Sequence, residues 1–214
     1  AKAQRIDPLV KDGDTIEVEL PASRLGRIAA QATRQMIMQK LREAIRSNTF
    51  NDFKGRIGEI VSGTVTGLNR RDVYVMVGKT EMILPAKECI PTEEYSVGDP
   101  IRAIVHHVKP DATGPTVFLS RATGEFVRAL FRLEVSEISD GVVEIVSVAR
   151  DPGYRSKVSV RTMDEKVDPV GACVGLRGAR VRNIVRELSG EKIDIVRWSD
   201  DVKSYITQAL APAK

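Results

Sequence analysis

The sequence predicts an α+β chain of more than one domain: a five-stranded Greek-key barrel of the OB type, then an α-β-β-α-α-β module, with a basic connecting helix ahead of both. Three observations carry that reading. Between Gly55 and Arg121 the apolar spacing falls to two, and turn residues cut the segment into five short strands. Beyond Thr123 helical and strand spacings alternate, and Gly175-Leu-Arg-Gly178 stands between two helical patterns. Ahead of the barrel, a long repeat at helical spacing carries a cluster of positive charge.

Composition sets the outer limits. A chain of 214 residues allows one large domain or two modest ones, and the turn signals favour two or more. With 42% hydrophobic and 29% charged residues the chain is able to bury cores and is not disordered throughout. Aromatics are only 5%, so Val, Ile, Leu and Ala must build those cores. A net charge of +4 is mild for a nucleic-acid binder, so its distribution decides. Residues 23–50 carry six Arg or Lys against Glu43, and residues 174–188 carry four Arg against Glu187. Cys89 and Cys173 lie far apart and suggest no disulfide framework. No apolar run approaches membrane-spanning length and no signal-peptide pattern opens the chain, so it reads as soluble and cytosolic, with no membrane partner. Both ends read as cut, since the chain opens without Met and closes as a new helix, Val202 to Leu210, has begun.

In chain order, Asp14 to Leu20 alternates as a strand that Pro21 ends, the tail of a domain whose first part is absent. Ser23 is placed to cap the following helix, in which Leu25, Ile28, Ala32, Met36, Leu41 and Ile45 repeat at helical spacing. Its basic side is either a solvated face or one turned to nucleic acid or an acidic partner. The barrel strands are expected at 58–68, 72–77, 80–84, 100–108 and 115–120, with glycines at 58, 63 and 67 at the tight bends. Alternation puts Val73, Val75 and Val77 on one side and Tyr74 and Met76 on the other. It likewise leaves Thr116, Phe118 and Ser120 outside, and sets Arg102, Ile104 and His106 against Ile101, Ala103 and Val105. Tyr74, Phe118, Arg102 and His106 are thus candidates for one exposed stacking and phosphate-binding face, or else for a surface packed on a neighbouring domain.

The second module begins with a helix over 123–134. Strands at 141–150 and 157–161 follow, joined through Asp151-Pro-Gly, then a helix from Pro169, the glycine turn, a helix over 179–188 and a strand over 192–198. That order is the type II KH arrangement, whose Gly-x-x-Gly loop clamps a single-stranded RNA backbone. Glycine suits the place because no Cβ blocks a sugar-phosphate chain. The bland alternative is a helix corner capped by glycine. Arginines beside the turn and the complete element order favour the RNA-binding reading. Its candidates are Gly175, Leu176, Arg177 and Gly178, with Arg180, Arg182 and Arg186 on the following helix. Val181, Ile184, Val185 and Leu188 form that helix's buried stripe, and Cys173 reads as a small core residue.

The stretch Asp168-Pro-Val-Gly-Ala-Cys-Val-Gly-Leu-Arg-Gly-Ala-Arg-Val-Arg182, with Gly190-Glu-Lys-Ile-Asp-Ile-Val196 after it, resembles the first KH module of the NusA family of bacterial transcription factors. Gly26-Arg-Ile-Ala-Ala-Gln31, Ala149-Arg-Asp-Pro-Gly153 and Ala209-Leu-Ala-Pro-Ala213 are similar to the same family. The resemblance implies a remnant of the N-terminal polymerase-binding domain over 1–52, an S1-type barrel over 53–121, a first KH domain over 122–200 and the start of a second over 201–214. It also implies a monomer without cofactor that holds nascent single-stranded RNA beside RNA polymerase and tunes pausing, intrinsic termination and antitermination. Other elongation and antitermination factors are implied partners, and the polymerase contact lies mainly in the absent part of the N-terminal domain. Generic S1 barrels often carry Phe and His where this chain has Arg71 and Pro85, so barrel stacking should be weaker here and phosphate contact through Arg71 more important.

Two other classes compete. A phosphorolytic exoribonuclease also combines S1 and KH modules, but in the reverse order and behind a catalytic core. No phosphate-loop, His-Glu-x-x-His or Gly-x-Ser-x-Gly pattern occurs here. His106 and His107, as strand neighbours, should face opposite sides and so form no metal pair. A protein-interaction scaffold that has lost RNA binding is the other rival, and the arginine cluster argues against it.

Overall fold

Helix α1 (Ala22–Phe53) runs for 32 residues and crosses the boundary between the two units into which the chain divides, residues 1–45 and 46–214. The computed structural model describes residues 22–110 and 116–211; the strand expected over 14–20 and the side chain of Ser23 lie outside the described residues. Ala, Gln, Arg, Met and Leu, all good helix formers, sustain α1 without a proline. Ile28, Met36 and Leu41 of its apolar stripe are 68%, 64% and 52% exposed. At its other end Phe53 is buried in the barrel core.

In the second unit, strands β1 (Ile60–Asn69), β2 (Asp72–Val77), β3 (Thr80–Leu84), β4 (Pro100–Val108) and β5 (Val117–Ser120) close a barrel in the order β1-β2-β3-β5-β4. β3 and β5 run parallel and the other neighbours antiparallel. The strand period of two fills the interior with Val73 and Val75, Met82 and Leu84, Ala103 and Val105, and Val117 and Leu119. Gly63 has a steric reason: a Cβ there would lie 2.5 Å from the Met76 carbonyl oxygen and 2.7 Å from a Val75 methyl. The 85–99 connection is not wholly irregular, for Ala86–Glu88 form one 3₁₀ turn.

The second module follows as α2 (Gly124–Glu134), a four-residue α3 (Ser136–Ser139), β6 (Val143–Asp151), β7 (Arg155–Thr162), α4 (Pro169–Val174), α5 (Ala179–Glu187) and β8 (Lys192–Arg197). Helix α6 (Val202–Leu210) comes after it. The sheet order is β6-β7-β8, antiparallel then parallel, which is the expected KH arrangement with one short helix added. Phe126, Val127, Leu130 and Phe131 of α2 pack with Ile145, Val158, Val160, Cys173, Ile184 and Leu188 in one core. Each such side chain contributes roughly 1.5–3 kcal/mol on full burial.

Outward-pointing barrel residues do not all reach solvent. Ile104 is 2% exposed and belongs to the second module's core, with Ile90 beside it. The outer surface of β4 at that point is therefore a docking face for α2. Thr116 and Ser120, expected outside, are buried as well. The Ser120 hydroxyl accepts from the Ala122 and Thr123 N–H groups at 3.2 Å, turning the chain from the barrel into α2.

Two buried arginines lock that junction. Arg121 and Glu93 have side chains only 5% and 6% exposed and meet at 2.5 Å. Arg121 also donates to the Glu187 carbonyl at 2.7 Å and its carboxylate at 3.1 Å, at the C-terminal end of α5. Arg150 donates to Glu191 at 2.8 Å and to the carbonyls of Arg121 and Thr123, both at 2.7 Å. Glu191 is fully buried and its remaining lone pairs accept from Ser156 at 2.6 Å and the Gly153 N–H at 2.8 Å. Both buried carboxylates are thus paired and hydrogen-bonded, the condition for burying charge without heavy loss.

Candidate nucleic-acid interface

The turn between α4 and α5 is built from its flanks inward. Asp168 caps α4 by accepting from the Gly171 N–H at 2.9 Å and pairs with Arg197 at 2.5 Å. That arginine contact, with the Gly171 and Val170 N–H groups, holds the Asp168 carboxyl below its ordinary value. Gly175 then takes φ 71°, ψ 175°, and a Cβ there would fall 2.8 Å from Arg180 Cγ. Arg177 and Gly178 follow at φ 52° and 77°, and the chain re-enters helix at Ala179. Positive φ at the non-glycine Arg177 is backbone strain in a surface turn, a feature that marks functional loops. Leu176 is 86% exposed and Arg177 is exposed beside it. A side chain this apolar presented to water on a surface turn is suited to contact a flat or aliphatic ligand surface.

The three arginines of α5 part company. Arg182 is exposed and donates to the Arg177 carbonyl, bracing the turn while its charge stays at the surface. Arg186 is exposed one turn further on. Arg180, expected to neutralise a phosphate, instead reaches behind the turn to Glu137 at 2.8 Å and the Ala172 carbonyl at 2.6 Å. It anchors the turn to α3 and α4, and its charge is offset there. The signal that would have revealed this, Glu137, is 43 residues away in the sequence.

The barrel candidates form two groups rather than one face. Cross-strand register lines up Tyr74 with Ile83, Ile83 with Phe118, and Phe118 with His107. The rings of His107 and Phe118 stack with centroids 4.4 Å apart at 8°, and Lys109 Nζ lies 4.7 Å from the Phe118 centroid. Ile83 is itself buried and spaces the half-buried Tyr74 and Phe118 across the sheet; the sequence reading includes neither His107 nor Lys109 in this face. A bulge between Val105 and His107 puts His106 out of alternation, so the two histidine rings lie 5.3 Å apart instead of on opposite sides. Burial first, then the charges of His106, Lys109 and Lys87, hold His107 below its ordinary value, so it is a neutral ring in a positive setting at neutral pH. Arg71 is exposed at the tip of the β1–β2 hairpin.

Arg102 stands apart from that row, beyond the buried Ile104. Its side chain is 49% exposed, with the guanidinium 3.5 Å from Glu187. There it shares a cleft of about 390 Å³ with Arg186, Glu93, Tyr95 and Arg121. One predicted arginine from the barrel and one from α5 are thereby brought together at the junction.

Burial first pushes Cys173 up to about 12 and Cys89 up to about 11, which keeps both as thiols at neutral pH. Among the described residues no group of three or more His, Cys, Asp or Glu is placed to hold a metal ion, and no helix is long and apolar enough to cross a membrane.

Comparison with known proteins gives three successive matches along the chain. Residues 1–47 match the NusA N-terminal domain, residues 54–118 the S1 RNA binding domain and residues 121–198 the NusA-like first KH domain. The whole chain is 45% identical to the transcription termination/antitermination protein NusA of Bacillus subtilis, of which it covers 57%. It is 46% identical to the protein of the same name from Halalkalibacterium halodurans and 41% identical to that of Thermus thermophilus, covering 56% of each. The chain therefore spans little more than half the length of these relatives.

Proposed function

The chain belongs to the NusA family, and on that premise we propose that it is an RNA-binding part of a transcription elongation factor acting with RNA polymerase in pausing, intrinsic termination and antitermination. The proposed division is an N-terminal polymerase-binding part over 1–52, an S1 barrel over 53–121, a first KH domain over 122–200 and the start of a second from 201. The setting is the bacterial cytoplasm, the state is monomeric, and the role is binding rather than catalysis.

The observation that carries the RNA reading is the turn itself: a strained, glycine-flanked corner with Leu176 86% exposed and Arg177, Arg182 and Arg186 at the surface around it. Single-stranded RNA crosses Gly175–Gly178 with its backbone against the turn, and Arg177, Arg182 and Arg186 neutralise phosphates. Arg180 holds the turn in shape from behind. Tyr74, Phe118 and His107, with Lys109 beside them, give a second stacking surface, and Arg71 and Arg102 give further phosphate contacts.

The test is a titration of single-stranded RNA against the parent chain and a Leu176→Asp, Arg177→Asp double variant. Both side chains are exposed, so thermal stability should hold while most binding is lost. Unchanged affinity would overturn the reading and favour a protein-interaction scaffold.

A further inference from the structure

The two most exposed large apolar side chains among the described residues bracket α4: Leu176 at 86% beyond its C-terminus and Met163 at 82% ahead of its N-terminus. The six-residue helix between them is about 9 Å long at ~1.5 Å per residue. Leu176 belongs to the RNA-binding turn, but nothing in the proposed mechanism uses Met163.

Met163 stands on a cleft of about 660 Å³ at the end of the KH sheet, walled by Arg161, Pro169, Arg197, Trp198 and Asp200. Trp198 is the single tryptophan of the chain and is half-buried there, with the Arg161 guanidinium 5.3 Å from its ring centroid. The cations around the cleft are already paired, Arg161 with Glu144 at 2.7 Å and Arg197 with Asp168 at 2.5 Å. Asp201 is also engaged, capping α6 by accepting from the Ser204 N–H at 3.1 Å. Asp200 is exposed and has no hydrogen-bond or ion-pair partner among the described residues.

A cleft whose cations are paired is poorly suited to a phosphate. An indole, a methionine thioether and an unpaired carboxylate are suited to a flat, neutral ring that carries N–H donors. We propose that this cleft takes a nucleobase of the same single-stranded RNA, stacked against Trp198 and Met163 with its amino edge on Asp200. Guanine is preferred, because its N1–H and 2-amino group meet both carboxylate oxygens at once. The inference rests on the RNA reading of the turn: a strand held at Gly175–Gly178 and running along α4 arrives at this cleft.

Because Trp198 is the only tryptophan, its emission reports the cleft directly. The experiment titrates the chain with eight-nucleotide RNAs, all-uridine or carrying one central guanine or adenine, following both Trp emission and the anisotropy of a labelled RNA. Expected are saturable quenching whose midpoint tracks the anisotropy and tighter binding of the guanine RNA than of the all-uridine RNA. Asp200→Asn removes that preference, and Trp198→Ala, read by anisotropy, weakens guanine RNA binding about tenfold. RNA that binds by anisotropy without changing Trp emission, or a guanine preference that survives Asp200→Asn, overturns the cleft and leaves the turn standing. Binding with quenching that survives the Leu176→Asp, Arg177→Asp double variant overturns the turn and leaves the cleft standing. No binding of any RNA overturns both.

Discussion

Gly175 and Arg180 act as one device. A Cβ at Gly175 would press on an arginine stem whose head is held by Glu137 and the Ala172 carbonyl, and φ 71° disfavours any side chain there. Gly175→Ala is predicted to cost about 1–3 kcal/mol in urea unfolding and to weaken RNA binding with it. The arginines separate by a different measurement. Arg177→Ala lowers the log–log salt slope of RNA binding by ~0.7, the loss of one phosphate contact. Arg180→Ala leaves that slope unchanged and shows its effect in stability. An equal slope change in both variants would contradict the division of roles. The turn was legible in the sequence because its glycines and arginines are contiguous. Arg180's true partner was not, because the contact with Glu137 exists only once α2, α3 and α5 have packed. The histidine pair was misread for a local reason: period-two alternation fails at a bulge, and no residue at 105–107 announces one.

At the level of elements, strand and helix limits followed the sequence within about two residues, because apolar periodicity is a local property that burial enforces. What each outer face meets is not local. Alternation correctly turned Ile104, Phe118 and Arg102 away from the barrel interior, yet Ile104 became core of the next module while Phe118 joined an aromatic row. Phe118→Ala is predicted to weaken binding of long single-stranded RNA by about 1–3 kcal/mol per displaced base, with little effect on RNA too short to leave the turn. Equal losses for both lengths would remove the barrel row from the RNA path. Helix α5 links the two scales: its N-terminus follows the turn, and at its C-terminus the Glu187 carbonyl and carboxylate meet Arg121.

Across the whole molecule, the barrel–KH junction depends on charge that is buried and paired. Arg121→Met leaves Glu93 buried without its cation and is predicted to cost about 3–5 kcal/mol at pH 7. The pH dependence follows from the same pair. Burial alone would raise the Glu93 carboxyl, but Arg121, with the Tyr95 and Ser189 hydroxyls, outweighs burial and lowers it. A lowered carboxylate contributes fully above its unfolded value, about 4.3, and that contribution is lost as pH falls from there through the folded value. The parent's junction should therefore be insensitive to pH between 7 and 5. In Arg121→Met burial raises the carboxyl, so acidification from pH 7 to 5 should partly restore stability; a variant that loses stability over that range contradicts the assignment. With phosphate contacts from Arg177, Arg182, Arg186, Arg71 and Arg102, RNA affinity should fall with a log–log salt slope of roughly −3.5. The most direct measurement is photocrosslinking of a 4-thiouridine single-stranded RNA to the chain, with contacts mapped by residue. Crosslinks at residues 175–186 and along Tyr74, Phe118 and His107 are predicted. Crosslinks that leave the Gly175–Gly178 turn untouched while marking other surfaces would contradict the account.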